Sequence, residues 1–225
     1  MTKGAKIYLA EERGHTETEW FRSYNSFNFG NYYNEHKLPV KRLYVCNEDT
    51  LAGGHHISLT AETATILLLL PVVGTLEFKQ PVTNTRLVNA GELLEIALNP
   101  GDNFEIHNPY EDELISYIQF WIKTEKPVTG IANLHSFDIN AFKNQLVHVP
   151  SHQPFCIVKL EGRNELLYTP ACSNSIFAFV IQGAFEIEGI LLHAGDAVSF
   201  TNYTQAEMEA LSNDAIIVLM ELQGD

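Results

Sequence analysis

Residues Gly74-Thr-Leu-Glu-Phe78 form one part of a sequence pattern that continues, after a turn, as Asn89-Ala-Gly-Glu-Leu93. A second copy of this pattern runs Gly183-Ala-Phe-Glu-Ile187 and then Leu192-His-Ala-Gly-Asp-Ala197. In each copy a hydrophobic strand ends at glycine, a short strand carries a glutamate, and Ala-Gly-acid opens the next strand. Glycine suits these places because turns between strands often need a positive φ. A repeat of this kind indicates two halves of similar structure.

The rest of the chain has the pattern of an all-β protein. Short runs rich in Val, Ile, Leu, Phe and Tyr, such as Arg42–Cys46, Ala64–Val73 and Leu114–Ile122, recur between turn residues. Helical periodicity is weak, and Asp138–Gln145 and Gln205–Ala210 are the best candidates for short helical turns. The order of strands and turns in the repeat resembles that of a cupin, a small jelly-roll barrel whose open mouth can hold a metal or a ligand.

We therefore expect an all-β bicupin, with two jelly-roll β-barrels in one chain and few short helices. The least strand-like stretch between the two copies is Thr124–Gly130, which is the expected linker. The predicted domains are an N-terminal barrel over residues 1–125 and a C-terminal barrel over residues 126–225.

Composition and charge exclude several classes of function. The 225 residues include 14 Lys and Arg against 28 Asp and Glu, so the net charge is −14 and we expect no direct contact with nucleic acid. The N-terminus has no apolar signal-peptide core, and the longest apolar run, Ile66–Val73, is too short to cross a bilayer. Three widely spaced cysteines, Cys46, Cys156 and Cys172, indicate core or strand residues in a reducing compartment. We expect a cytoplasmic protein without a membrane partner.

Several stretches resemble the pirin family, and above all its bacterial quercetinase branch. The matching stretches are Glu12–His15, Trp20–Ser23, Ser26–Tyr33, Val45–Asp49, Gly74-Thr75, Ala90–Glu92, Asn108-Pro109, Gln119–Ile122, Phe137-Asp138 and Gln145–Val147. The aromatic block Ser26–Tyr33 is the most specific of them. The resemblance covers essentially the whole chain and implies the same architecture as the repeat, two cupin barrels in one chain.

The resemblance also implies a place for a metal. In the family, the first barrel holds an iron-like divalent metal through His-x-His on one strand and His-x-Glu on a later strand. When this chain is laid on that pattern without gaps, the first pair falls on Thr60 and Glu62, and the second pair falls on Phe104 and Ile106. Only Glu62 offers a good donor. We therefore expect no metal, no other cofactor and no catalytic residue, and a candidate pocket at these four positions.

Other residues do not replace the lost donors. His55 and His56 follow two glycines, and adjacent residues of a strand face opposite ways, so a solvated pair is favoured over a metal-binding pair. His107 follows Ile106 and is expected to point away from the barrel interior for the same reason. The acidic stretches Glu111–Glu113 and Glu207–Glu209 lie beside predicted turns and read as solvated edges.

Three functions follow from this reading. The favoured one is a metal-free, non-catalytic pirin-like bicupin that binds a small apolar or aromatic molecule or has a regulatory protein partner. The second is an oxidoreductase like quercetin 2,3-dioxygenase, with a substitute metal site. The third is a first barrel with a purely structural role, in a protein that acts by associating with another macromolecule.

Overall fold

The structure is a computed structural model that describes residues 3–81, 85–128, 130–171 and 175–223. Its strands are, in chain order, β1 Gly4–Tyr8, β2 Gly14–Glu17, β3 Phe21–Asn25, β4 Leu43–Leu51, β5 His56–Thr60, β6 Thr65–Val73, β7 Thr75–Lys79, β8 Arg86–Asn89, β9 Glu92–Leu98, β10 Asn103–His107, β11 Ile115–Lys123, β12 Ala132–Ser136, β13 Leu146–Val149, β14 Phe155–Leu160, β15 Glu165–Tyr168, β16 Ser175–Gln182, β17 Ala184–Ile187, β18 Ile190–His193, β19 Ala197–Thr201, β20 Ala206–Ala210 and β21 Ala215–Glu221. Within these ranges the helical element is a 3-10 turn at Ala10–Glu12. No helix among the described residues is long and apolar enough to span a membrane.

The strands form four antiparallel sheets in two compact units. The first unit, residues 14–136, has a seven-stranded sheet in the order β12-β9-β6-β11-β4-β3-β2 and a four-stranded sheet in the order β5-β10-β7-β8. The second unit, residues 1–13 and 137–225, has a six-stranded sheet, β1-β19-β16-β21-β14-β13, and a four-stranded sheet, β15-β20-β17-β18. The predicted all-β bicupin is confirmed.

The bounds of the units differ from the expected division after residue 125. Strand β1 pairs with β19, so the N-terminal residues join the second unit. Strand β12 pairs with β9, so the residues up to 136 join the first unit. Thr129, in the expected linker, lies outside the described residues. Long-range strand pairing decides both assignments, and it leaves no mark in local composition.

The two copies of the repeat fold in the same way. Gly74 joins β6 to β7 and Gly183 joins β16 to β17, each with φ +78°. Gly91 and Gly195 precede β9 and β19 with φ 90° and 84°. These backbone angles lie in the region that favours glycine, which explains the glycines of the motif.

The acid that ends each repeat caps the same turn in both units. The backbone N–H of Asn89 donates to Glu92 Oε2 at 2.7 Å, and the backbone N–H of His193 donates to Asp196 Oδ2 at 2.8 Å. Asp196 also accepts from the backbone N–H of Ala10 at 2.7 Å. The carboxylate therefore stabilises the turn, and in the second unit it also anchors the N-terminal segment.

Each unit has its own apolar core. In the first unit the core takes side chains from both sheets, including Leu67 and Trp121 from one and Phe78 and Phe104 from the other. In the second unit the core does the same, with Phe200 from one sheet and Phe185 from the other among its members. The two sheets of a unit are thus held together by apolar burial.

The helical turn expected at Gln205–Ala210 is wrong, because Ala206–Ala210 form β20. Their burial alternates strictly, with Ala206, Met208 and Ala210 buried and Glu207 exposed, which is the period of a strand. Residues 138–145 form turns without a regular helix. Cys46 and Cys156 are buried thiols, as expected, and Cys172 lies outside the described residues.

The double role of Asp196 gives a testable prediction. Asp196→Ala removes two hydrogen bonds to a carboxylate, and we expect it to lower the free energy of unfolding by about 2 to 4 kcal/mol. Urea denaturation measures the change. Glu186→Ala, at an exposed position of β17, is the control and should change stability by no more than about 0.5 kcal/mol. Equal effects of the two substitutions would contradict the capping role.

Candidate functional site

The paired strands β5 and β10 carry only apolar side chains on their interior face. Their register places Ile57 opposite Ile106 and Leu59 opposite Phe104. Phe104 and Ile106 are buried in the core of the first unit, and Ile57 and Leu59 are partly buried against the same core. Residues i and i+2 of a strand share a face, so these four side chains lie on the same side of the strand pair.

Thr60 and Glu62 lie elsewhere than the sequence comparison placed them. Both are exposed, and the Thr60 hydroxyl donates to Asn103 Oδ1 at 2.6 Å. The structure therefore does not bring the four predicted pocket residues together. Ile57 and Leu59, three residues earlier than Thr60 and Glu62, hold the interior positions of β5. The gapless comparison missed this offset because spacing alone does not show where the Gly-rich loop ends and β5 begins.

A cavity of about 400 Å³ lies in the first unit, next to the end of β5. It is lined by Asn28, Phe29, Gly30, Tyr32, Tyr33, Tyr44, Val45, Leu59, Thr60, Glu62 and Trp121. Thr60 and Glu62 are exposed and lie at the rim of the cavity, whereas Val45 and Trp121 are buried and lie at its base. The cavity combines an aromatic wall with one carboxylate.

The aromatic rings of the cavity are held at fixed angles. The Trp121 ring meets the Tyr44 ring at 87° and the Phe29 ring at 73°, each with centroids 6.0 Å apart. On its other side Trp121 packs against Phe104, with centroids 5.6 Å apart. Phe104 therefore supports the cavity wall from the core, although it does not line the cavity.

A chain of buried hydrogen bonds leads from the cavity into the unit. Trp121 Nε1 donates to Gln119 Oε1 at 2.6 Å, and Gln119 Nε2 donates to Asp49 Oδ2 at 2.6 Å. Gln119 lies opposite Asn47, the neighbour of Asp49 on the interior face of β4. This arrangement fixes the amide of Gln119 and with it the plane of the Trp121 ring.

Asp49, the acid at the end of this chain of hydrogen bonds, has a raised pKa. Burial raises the pKa of its carboxyl from 3.8 to about 6, while the facing side chains of Ser23, Gln119 and Tyr117 lower the pKa and the charge of Glu48 raises it slightly. The carboxyl is completely buried, so desolvation of the charged form outweighs the polar neighbours.

Tyr44 is held in place at the wall of the cavity. Its hydroxyl lies 2.6 Å from the hydroxyl of Thr65. Burial raises the pKa of Tyr44, the contact with Thr65 lowers it, and the negative charge of Glu62 raises it further. The carboxylate of Glu62 is thus close enough to act on the polar end of Tyr44.

His55 and His56, which follow the turn at Gly53-Gly54, contact different parts of the first unit. His55 Nδ1 lies 2.7 Å from the carbonyl oxygen of Gly53, and its ring stacks on Trp20 with centroids 5.3 Å apart. His56 stacks instead on His107 of the neighbouring strand, at 4.6 Å. His107 also lies 2.7 Å from Glu105, away from the core. Throughout the described ranges, no group of three or more His, Cys, Asp or Glu is placed to hold a metal ion.

Comparison with known proteins agrees with the fold and with the motifs. Residues 143–222 match the family model of the quercetinase C-terminal cupin domain. Quercetin 2,3-dioxygenase of Escherichia coli (strain K12) is 25% identical over 229 residues, which cover 96% of this chain and 98% of that protein. The crystal structure of YhhW from Escherichia coli superposes with a TM-score of 0.87 at 22% identity, covering 99% of both chains. A structure of the bacterial pirin YhhW in complex with nickel(II) has a TM-score of 0.85 at 22% identity, covering 99% of this chain and 100% of that chain.

The two cupin units and their repeated turns define the class of protein, a bicupin. The sequence matches agree with this class, and the chain is similar along nearly its whole length to quercetinase and pirin-like sequences.

The sequence blocks that resemble the family contain residues of the cavity, but the sequence alone did not predict the cavity. Phe29, Tyr32 and Tyr33 belong to the matching block Ser26–Tyr33. Asp49 and Trp121 belong to two further matching blocks, which β4 and β11 bring side by side. Aromatic residues in such blocks read as core packing until their three-dimensional arrangement shows that they surround a cavity.

The raised pKa of Asp49 predicts a pH-dependent stability. The folded state holds the proton of Asp49 more tightly than the unfolded state. The free energy of unfolding of the wild type relative to Asp49→Asn is therefore highest below pH 4, falls as pH rises from about 4 to 6, and is constant above pH 6. At 1.36 kcal/mol per pKa unit, the total change is about 3 kcal/mol. Urea denaturation of both proteins between pH 4 and pH 7.5 measures the difference.

The matched control is Ser58→Ala, which changes an exposed side chain without removing an ionisable group, so its difference from wild type should stay flat over the same range. A pH-independent difference between wild type and Asp49→Asn would show that the buried carboxyl carries no raised pKa.

Proposed function

We propose that this pirin-like bicupin has lost the metal site of its first cupin and binds a small aromatic or apolar molecule in the neighbouring cavity, without catalysing oxygenation. The observation that carries the proposal is the apolar interior face of β5 and β10, formed by Ile57, Leu59, Phe104 and Ile106. In the resemblance that motivated the metal, histidine and glutamate occupy such paired positions.

The residues at this place do not fit a transition metal. Divalent metals in proteins are held by several nitrogen, oxygen or sulfur donors, which together replace the hydration shell. The four interior side chains supply none, and burial of Phe104 and Ile106 favours a dry interior. Glu62, the carboxylate among the described residues that line the cavity, is exposed and lies at the rim of the cavity rather than between the strands.

The cavity itself supports ligand binding. Its volume of about 400 Å³ lies within the range of small-molecule sites, about 300 to 1,000 Å³. Its aromatic wall is rigid, because Trp121 is fixed by Gln119 on one edge and by Phe104 behind it. A preformed apolar wall reduces the ordering cost of binding. A non-catalytic role in sensing or carrying a small molecule follows.

The alternative function is a quercetin 2,3-dioxygenase-like oxidoreductase with a substitute metal site. The names of the relatives favour it, since quercetin 2,3-dioxygenase of Escherichia coli aligns over 96% of this chain. This alternative requires donors outside the β5–β10 pair, and the described part of the chain offers no cluster of three.

Binding of an aromatic probe tests the proposal. The chain has 2 tryptophans, so in a Trp20→Phe background the fluorescence reports Trp121 alone. We expect 2-naphthol to quench this fluorescence saturably with one site per chain. Leu59→Phe, which adds bulk at the cavity wall, should weaken binding about tenfold or more. Leu87→Phe, at an exposed position of β8, is the matched control and should leave the affinity unchanged.

Oxygen consumption separates the alternative from the proposal. With quercetin and added iron(II) or nickel(II), the protein should consume no oxygen beyond a protein-free mixture of the same metal and quercetin. Oxygen uptake that requires the protein would support the dioxygenase. Unsaturable quenching, or equal effects of the Leu59 and Leu87 substitutions, would remove the cavity as a ligand site.

A further inference from the structure

The walls of the cavity have the arrangement of an aromatic cage. Trp121, Tyr44 and Phe29 all line the cavity, and the Trp121 ring stands at 87° to the Tyr44 ring and at 73° to the Phe29 ring. Tyr32 and Tyr33 add two further rings to the lining. Tyr33 is largely exposed, so it stands at the open side, whereas Trp121 forms the buried base. Aromatic faces carry negative potential, and tryptophan attracts cations most strongly.

The charge at the rim has the same sign as the potential of the rings. Glu62 is exposed beside the cavity. Among the described residues that line the cavity, there is no lysine, arginine or histidine. The net charge of −14 adds a long-range attraction for cations. A neutral hydrocarbon would use the rings but would leave this carboxylate without a counter-charge.

We propose that the cavity selects aromatic molecules that carry a quaternary ammonium or protonated amine group. The cationic group sits against the rings of Trp121 and Tyr44, and Glu62 supplies the counter-charge at the rim. This inference rests on the proposed function, ligand binding in the same cavity, and adds the chemical class of the ligand. Anionic aromatic molecules are disfavoured because Glu62 would repel them.

A pair of probes of equal shape isolates the charge. (3-Hydroxyphenyl)trimethylammonium and 3-tert-butylphenol differ in one atom, a cationic nitrogen in place of a neutral carbon. With the Trp20→Phe protein at low salt, we expect the cation to bind at least about tenfold more tightly than the neutral probe. Isothermal titration calorimetry on the wild-type chain gives the same ratio without a fluorescent reporter.

Two variants assign this preference to the cavity. Glu62→Gln, at an exposed position that leaves the core intact, should weaken binding of the cation about fivefold or more relative to binding of the neutral probe. Tyr44→Leu should reduce the preference further, because it removes one wall of the cage. Glu19→Gln removes an exposed carboxylate of the first unit that does not line the cavity, and it should change neither affinity.

The outcomes separate the two proposals. If the neutral probe binds as tightly as the cation, the charge preference is overturned while ligand binding in the cavity stands. If the cation is preferred but Glu62→Gln and Glu19→Gln weaken it equally, the preference comes from net charge and the site assignment is overturned. If neither probe binds, both the charge preference and the proposed function fall.

Discussion

Side-chain alternation along β5 and β10 is the constraint on which the chemistry of the first unit depends. Because successive residues of a strand face opposite ways, the register Ile57 with Ile106 and Leu59 with Phe104 decides which four side chains face inward. A shift of β5 by one residue would turn its polar side chains inward and expose Ile57 and Leu59. The core of the unit makes such a shift costly, since Phe104 stacks on Phe78 and packs against Trp121.

The same packing joins the apolar interior to the cavity. Phe104 supports Trp121 from the core, Gln119 holds the indole N–H, and Asp49 holds the amide of Gln119. Burying Asp49 opposes folding at neutral pH, because its carboxyl must lose its hydration when charged. The arrangement therefore gives up some stability for a tryptophan with one defined orientation at the base of an aromatic-lined cavity.

Much of the fold could be predicted from local sequence, and the site could be predicted only in part. The repeated glycines and acids report local backbone geometry, so Gly74, Gly183 and the turn-capping Glu92 and Asp196 were recognisable before the structure. The register of β5 depends on where the preceding loop ends, which residue spacing does not reveal. The gapless comparison therefore assigns Thr60 to an interior position of the barrel, although its side chain is exposed.

Two further errors have similar physical causes. Gln205–Ala210 has enough helix-forming residues to suggest a helical turn, but pairing with β15 and β17 makes it a strand. The division between the units was displaced because β1 and β12 find their partners far along the chain. Tertiary pairing overrides local preference in each case.

We propose that an apolar interior face replaces the metal site of the first cupin. Elemental analysis after equilibration with nickel(II) and gel filtration tests it most directly, with a fourfold variant, Ile57→His, Leu59→His, Phe104→His and Ile106→Glu, as the reference. We expect less than about 0.1 nickel per chain for the wild-type protein and a gain toward one nickel per chain in the variant. One nickel per chain retained by the wild-type protein, and lost on Glu62→Ala, would overturn the proposal and indicate a metal site at the rim of the cavity.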